Sequence, residues 1–246
     1  MGGVRRELVQ SEFESRVIVA LDYSSVGEAM PVVTKLDPPM CRLKVGKELH
    51  SAGGPDFVKW CIAQGFEVFL DLKFHDISTT VAKACCVNAK LGVWMMSIHA
   101  SGGSKMMKAA RKAVDELELE KPPLLIAVTV LTSLVDEDLE EVGISPQVNY
   151  QVLRLAKLAR ECGMDGVVCS ALEAPVLRKE FSSDFKLITP GISLDGEKRD
   201  DQERVATPRD AILAGANYLV IGRPITQAED PVKVLQDISI EIAKAL

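Results

Sequence analysis

A chain of 246 residues is long for one ordinary core but usual for a single α/β barrel, and no Pro/Gly-rich linker, charge block or low-complexity tract divides it. Its 47% hydrophobic residues, only 5% of all residues being aromatic, supply a large aliphatic interior and exclude a disordered or fibrous chain. A net charge of -6 argues against a general nucleic-acid or membrane-surface role, since either needs clustered excess Lys and Arg.

In chain order, residues 1–16 read as a short amphipathic lead-in helix over the closed end of a barrel. The start, Met1 to Glu14, lacks the apolar run of a secretory signal, and no later segment holds the roughly 20 uncharged apolar residues of a membrane span. Short β-branched runs then predict eight strands: Val17 to Leu21, Arg42 to Val45, Val68 to Asp71, Val93 to Ile98, Leu124 to Val130, Gly166 to Cys169, Lys186 to Thr189 and Tyr218 to Ile221. Helix-period segments lie between them, with start signals at Ser25 with Glu28, Gly54-Pro55, Ser145-Pro146 and Thr207-Pro208. Lys121-Pro122-Pro123 reads as the turn into the fifth strand, and Pro190 to Ala206, without helical period, as a lid. The fold class is therefore α/β, a single (β/α)8 TIM barrel over residues 17–246. Six cysteines with no CxxC pair, mostly in apolar contexts, read as reduced core thiols of a cytoplasmic protein.

The active site of such a barrel lies at the C-terminal ends of its strands. Those ends carry Asp22, Lys44, Asp71 with Lys73, His99, Thr132, Ser170, Pro190-Gly191 and Gly222-Arg223, a strongly polar ring that follows buried segments. Asp71-Leu72-Lys73-Phe74-His75-Asp76 is the most informative stretch. Residues two apart on a strand share a face, so Asp71 and Lys73 project together, and Lys44 ends another apolar run in the same kind of neighbourhood. One Asp/Lys couple alone is ordinarily a structural ion pair; charges gathered at two strand ends favour a site.

Gly222-Arg223 after the last strand offers a ligand-accessible backbone and a planar cationic fork to a phosphate, in the place where barrels hold one, and Gln202 in the lid would add an amide donor. With three widely spaced histidines there is no metal pattern, so His99 reads as a satisfied core residue and His75 as orienting or structural. Cys169 and Ser170 lack a convincing base partner in the sequence, which argues against a hydrolytic nucleophile.

Val19-Ala20-Leu21-Asp22, Leu43-Lys44-Val45-Gly46, Phe69 to Ile77, Thr129 to Ser133, Thr189-Pro190-Gly191-Ile192 and Ile221-Gly222-Arg223-Pro224 closely resemble, in order and on matching elements, the bacterial orotidine 5'-monophosphate decarboxylase family. The resemblance implies cofactor-free, metal-free decarboxylation of orotidine 5'-phosphate to uridine 5'-phosphate in pyrimidine biosynthesis. It also implies a homodimer with active sites at the subunit interface. The family's catalytic charges fall on Lys44, Asp71, Lys73 and Asp76; Asp76 and Thr80 would serve the neighbouring subunit's site. Asp22 would hold ribose hydroxyls, Thr132 the pyrimidine edge, and Gln202, Gly222 and Arg223 the phosphate. Two departures stand out: Ser193 replaces the arginine usual after Gly-Ile, and Ser78-Thr79 replaces Pro-Asn, leaving Thr80 in register. A magnesium-dependent sugar-phosphate lyase of the same barrel suprafamily shares the Asp-x-Lys-x-x-Asp pattern, and a non-catalytic nucleotide-binding protein that kept the phosphate cup is the alternative of a different class.

Overall fold

Eight parallel strands hydrogen-bond in sequence order, the first also to the last, and close into a barrel. The computed structural model describes residues 15–144, 147–194 and 205–246. The strands are β1 (Val17–Leu21), β2 (Arg42–Gly46), β3 (Val68–Phe74), β4 (Met95–His99), β5 (Leu124–Val128), β6 (Gly166–Val168), β7 (Lys186–Thr189) and β8 (Tyr218–Ile221). Every predicted strand is present. The fourth starts two residues later than expected, at Met95, and the third runs three residues further, to Phe74. The helices are α1 (Val26–Val33), α2 (Lys47–Ala63), α3 (Ser78–Leu91), α4 (Gly103–Asp115), α5 (Asp136–Glu141), α6 (Val148–Glu161), α7 (Ala174–Glu180), α8 (Pro208–Leu213), α9 (Arg223–Thr226) and α10 (Pro231–Ala243).

Local chemistry sets several of these boundaries. Ser25 Oγ accepts from the Glu28 N–H at 3.3 Å, whereas Glu28 itself accepts from Ser24 Oγ, so only half of the expected capping box forms. Thr207 accepts from the Asp210 N–H at 3.1 Å with Pro208 in the first turn. Within α2, Gly54 has φ 59° and ψ -162°, so the helix is broken where Gly54-Pro55 predicted a start. The Ser145-Pro146 signal lies outside the described residues, as do residues 1–14 of the lead-in segment.

Alternation along the strands makes two apolar layers. Leu43, Val45, Val68, Leu70, Met96 and Ile98 face outward into the shell beneath the helices. Ile18, Ala20, Phe69, Met95, Ile126, Ile188, Tyr218 and Val220 pack together inside the barrel. On β2 the inward positions, alternating with Leu43 and Val45, are the cations Arg42 and Lys44. Gly166 is required where β6 meets β7, because a Cβ there would lie 2.1 Å from the Lys186 carbonyl oxygen.

Arg42 closes the lower end. Its guanidinium lies 4.3 Å above the Trp94 ring and 5.1 Å from that of Tyr218, its Nε donates to Glu67 Oε2 at 2.7 Å, and its Nη1 donates to the Ser15 carbonyl. The cation is thus both stacked and forked, a combination lysine cannot reproduce. Arg42→Ala should lower unfolding stability by about 2–4 kcal/mol, from lost charged hydrogen bonds and stacking, with turnover of the remaining folded protein unchanged. Urea titration of both proteins checks this: an unaltered midpoint would show that the plug contributes nothing.

Candidate active site

The upper mouth of the barrel opens into a cavity of about 430 Å³. Its floor is apolar, with Ala20, Phe69, Val128, Val168, Ile188 and Val220; its wall carries Asp22, Lys44, Asp71, Lys73, Thr132, Ser193, Gly222 and Arg223. Eight of the residues singled out by the sequence therefore meet at one site. Asp76 and Thr80 do not line this cavity: both are exposed, Asp76 just past the end of β3 and Thr80 in the first turn of α3. Gln202 lies outside the described residues.

The centre is a buried carboxylate between two ammonium groups. Asp71 is 9% exposed; its Oδ2 lies 2.7 Å from Lys73 Nζ and 4.0 Å from Lys44 Nζ. Lys44 also reaches Asp22 Oδ1 at 3.0 Å, so the charges run in the order Asp22, Lys44, Asp71, Lys73. Burial works to raise the Asp71 carboxyl, but the Lys73 and Lys44 charges, with hydrogen bonds from Lys73 and Ser97, outweigh it and hold the group below the ordinary carboxylate range. Asp71 therefore stays ionised into mildly acidic solution. Gly46 gives the Lys44 ammonium its room, since a Cβ there would sit 3.2 Å from Nζ.

Plain strand alternation does not account for the Asp71/Lys73 pair. Lys73 has φ 51°, in the left-handed region, which costs a residue with a Cβ about 1–2 kcal/mol. The ladder between β3 and β4 slips at the same place: Leu70 pairs with Met96 and Phe74 with Ile98, so Asp71, Leu72 and Lys73 together lie opposite Ser97 alone. This bulge turns the Lys73 side chain onto Asp71. Ser97, not among the site residues expected from the sequence, accepts from the Lys73 N–H at 2.8 Å and donates to Asp71 Oδ1 at 2.7 Å. Its only signal in the sequence is that it is a lone hydroxyl within Met95-Met96-Ser97-Ile98.

The other side of the mouth is built by β7 and β8. Gly222 precedes α9, whose first residue is Arg223, and Gln227 just after that helix joins the lining, a residue without a distinguishing sequence signal. Ser193 is buried against the cavity in the stretch after β7, where Ser193 N donates to the Ala206 carbonyl at 3.0 Å and Ala206 N to that of Gly191 at 3.1 Å. This pairing ties together the two ends of the expected lid, whose residues 195–204 lie outside the described ones.

The described lining of the cavity contains no histidine. His99 stacks on His75 at 5.3 Å with rings 17° apart, and its Nδ1 accepts from the Ser101 N–H. Burial, then the neighbouring His75, Lys47 and Lys73 charges, push its pKa down to about 4, so it is a neutral acceptor near pH 7. Burial likewise pushes the thiols of Cys41, Cys61 and Cys85 up to about 12, so they pack as apolar groups. Among the described residues no three His, Cys, Asp or Glu are grouped to hold a metal ion, and no helix is long and apolar enough to cross a membrane.

Comparison with known proteins agrees with this geometry. Residues 15–238 match the model of the orotidine 5'-phosphate decarboxylase / HUMPS family. The orotidine 5'-phosphate decarboxylase of Tolumonas auensis is 56% identical over 231 residues, 94% of this chain and 99% of the relative. That of Nitrosomonas eutropha is 56% identical over 233 residues, 95% and 99% of the two chains. The crystal structure of the Lactobacillus acidophilus orotidine 5'-phosphate decarboxylase superposes with a TM-score of 0.83 at 39% identity, covering 93% of this chain and 99% of that one. By its sequence, its closed barrel and the residues at its mouth, the chain belongs to the orotidine 5'-phosphate decarboxylase / HUMPS family.

Proposed function

We propose that the protein converts orotidine 5'-phosphate to uridine 5'-phosphate and carbon dioxide, the decarboxylation that serves pyrimidine biosynthesis in the cytoplasm, using only its own side chains. The observation that carries this reading is the Asp71 carboxylate fixed between Lys73 at 2.7 Å and Lys44 at 4.0 Å, in a cavity that also carries Gly222 and Arg223.

The chemistry needs such an array. Loss of carbon dioxide from C6 of the pyrimidine leaves a vinyl carbanion with no adjacent π acceptor, so the protein has to stabilise developing charge directly, with groups already in place. The Lys73 ammonium faces the carbanion and delivers its proton to C6. Asp71, close to the substrate carboxylate, favours departure of carbon dioxide and holds Lys73. Lys44, bonded to Asp22, keeps the array from relaxing, and Asp22 takes the ribose hydroxyls. Thr132 faces the pyrimidine edge; Gly222 and Arg223 take the phosphate, with Gln202 as a further donor to it. Ser193 stands where an arginine is usual, and among the described lining residues Arg223 is the arginine that meets the phosphate. Accelerations at the top of the usual enzymatic range, about 10¹⁷-fold or roughly 23 kcal/mol, exceed what one ammonium supplies. Phosphate binding therefore contributes, through closure that excludes water and organises the charges.

The working form is a homodimer in which Asp76 and Thr80 complete the partner's site. Both residues are exposed and outside the cavity of their own chain, and Ile77 and Val87, exposed at 72% and 67% on α3 and its approach, are apolar groups that a second copy would cover. The six free cysteines, five of them buried, fit a reducing compartment.

Lys73→Ala should cut turnover of orotidine 5'-phosphate by at least about 1,000-fold while changing affinity for uridine 5'-phosphate little, because its contribution is made to charge that develops during reaction. Ultraviolet absorbance in the presence of EDTA measures this; near-normal turnover in the variant would exclude Lys73 as the acid, and EDTA-sensitive turnover of the unaltered protein would favour a metal-dependent lyase. Arg223→Ala should lose about 10- to 150-fold in kcat/KM with the phosphorylated substrate and little with the bare nucleoside. Equal losses on both would contradict a phosphate contact. Finally, inactive Asp76→Ala and inactive Lys73→Ala proteins, mixed under conditions that exchange subunits, should recover up to about a quarter of full activity, since each heterodimer holds one site with neither defect. No recovery after demonstrated exchange would return Asp76 to its own subunit.

A further inference from the structure

We propose that Ser97 is a positioning residue for the Asp71–Lys73 pair, its single hydroxyl fixing both the carboxylate's rotation and the lysine's backbone; the inference rests on the decarboxylation reading above. The side chain shares the inward parity of Met95, a member of the cluster inside the barrel, and is 0% exposed. A backbone N–H can only donate, so the 2.8 Å bond from Lys73 N makes Ser97 Oγ the acceptor there. The hydroxyl proton is then directed at Asp71 Oδ1, 2.7 Å away. That leaves Oδ2 to the two ammonium groups, at 2.7 and 4.0 Å. The carboxylate thus has one oxygen for the scaffold and the other for the reacting array.

The same hydroxyl compensates for an unfavourable backbone. Lys73 sits at φ 51° in a bulge whose three residues face one residue of β4, and that one residue is Ser97. Relaxation of Lys73 toward ordinary strand geometry would swing its ammonium away from Asp71; the bond from its N–H to Ser97 opposes this. A side chain must donate and accept at once to do both jobs. Alanine and valine can do neither, whereas threonine keeps the hydroxyl in the shape of valine.

The test is steady-state turnover of orotidine 5'-phosphate, affinity for uridine 5'-phosphate and thermal melting for Ser97→Ala, Ser97→Thr and Ser97→Val. Loss of the hydroxyl should lower kcat about 10- to 100-fold in Ser97→Ala and Ser97→Val, as for a hydrogen bond to a charged group, with KM and product affinity changed by no more than about threefold. Ser97→Thr should recover most of kcat. Should Ser97→Ala prove too unstable to assay, the Thr/Val pair, alike in shape, decides alone. A kcat within about twofold of normal in Ser97→Val, equal losses in Ser97→Thr and Ser97→Val, or a loss confined to KM would each overturn the assignment. An unaltered protein that fails to release carbon dioxide from orotidine 5'-phosphate would instead overturn the decarboxylation reading itself.

Discussion

A carboxylate that has given up nearly all its water stays ionised only where fixed positive charge and hydrogen-bond donors replace that water, and most of this site follows from meeting the condition at Asp71. Lys44 comes from β2, Lys73 from the end of β3 and the Ser97 hydroxyl from β4, so three adjacent strands have to be in register before the carboxylate is stable. Each partner is in turn held. Asp22 from the loop after β1 pairs with Lys44, and the bulge holds Lys73. The charged array is therefore a property of the closed barrel rather than of the segment that contains Asp71 and Lys73.

The barrel accommodates such charges by keeping them on its inward face and at opposite ends. On β2, Arg42 and Lys44 are two residues apart, share that face and are both buried. Arg42 ends below, stacked on Trp94 and paired with Glu67; Lys44 ends above, against Asp22 and Asp71. Between them the interior is filled by Phe69, Met95, Ile126 and Ile188, which give the upper charges a floor of low polarizability. Charges separated from water by such packing interact more strongly than they would in solution, which is how a few side chains come to matter for a demanding reaction. The lower end contributes rigidity and the upper end chemistry, and the aliphatic layer keeps them apart.

The bulge in β3 shows how local strain serves the site. A regular strand would place Asp71 and Lys73 side by side on one face, at a spacing near 7 Å along the chain. Opposing three residues of β3 to Ser97 alone shortens that path and folds the ammonium back onto the carboxylate. Lysine in the left-handed region is unfavourable in isolation, so its persistence depends on the bonds that the site itself provides. Bulges that re-aim a side chain are a recurrent device beside active sites, and here the device and its anchor come from neighbouring strands.

How much of this was legible in the sequence follows from the range of the forces involved. Strands such as Val17–Leu21 and Tyr218–Ile221 announce themselves because burial on both faces demands an unbroken apolar run, and the polar residues that follow each run then mark the mouth of a parallel barrel. Lys44, Asp71, Lys73 and Arg223 were visible for that reason: their charge breaks a pattern set within a few residues of the chain. Ser97, Gln227 and the turn of Lys73 out of strand alternation were not, because a lone hydroxyl or amide breaks no pattern, and a register slip is decided by two strands together. The resemblance already set Asp76 and Thr80 apart from their own chain's site, and the path of the chain from β3 into α3 keeps both out of the cavity lining. Composition and periodicity determined the barrel and the kind of charge at its mouth. The distances that make those charges a single array arose only when segments 20 or more residues apart, such as those holding Asp22, Lys44 and Asp71, were brought into register by burial of the residues between them.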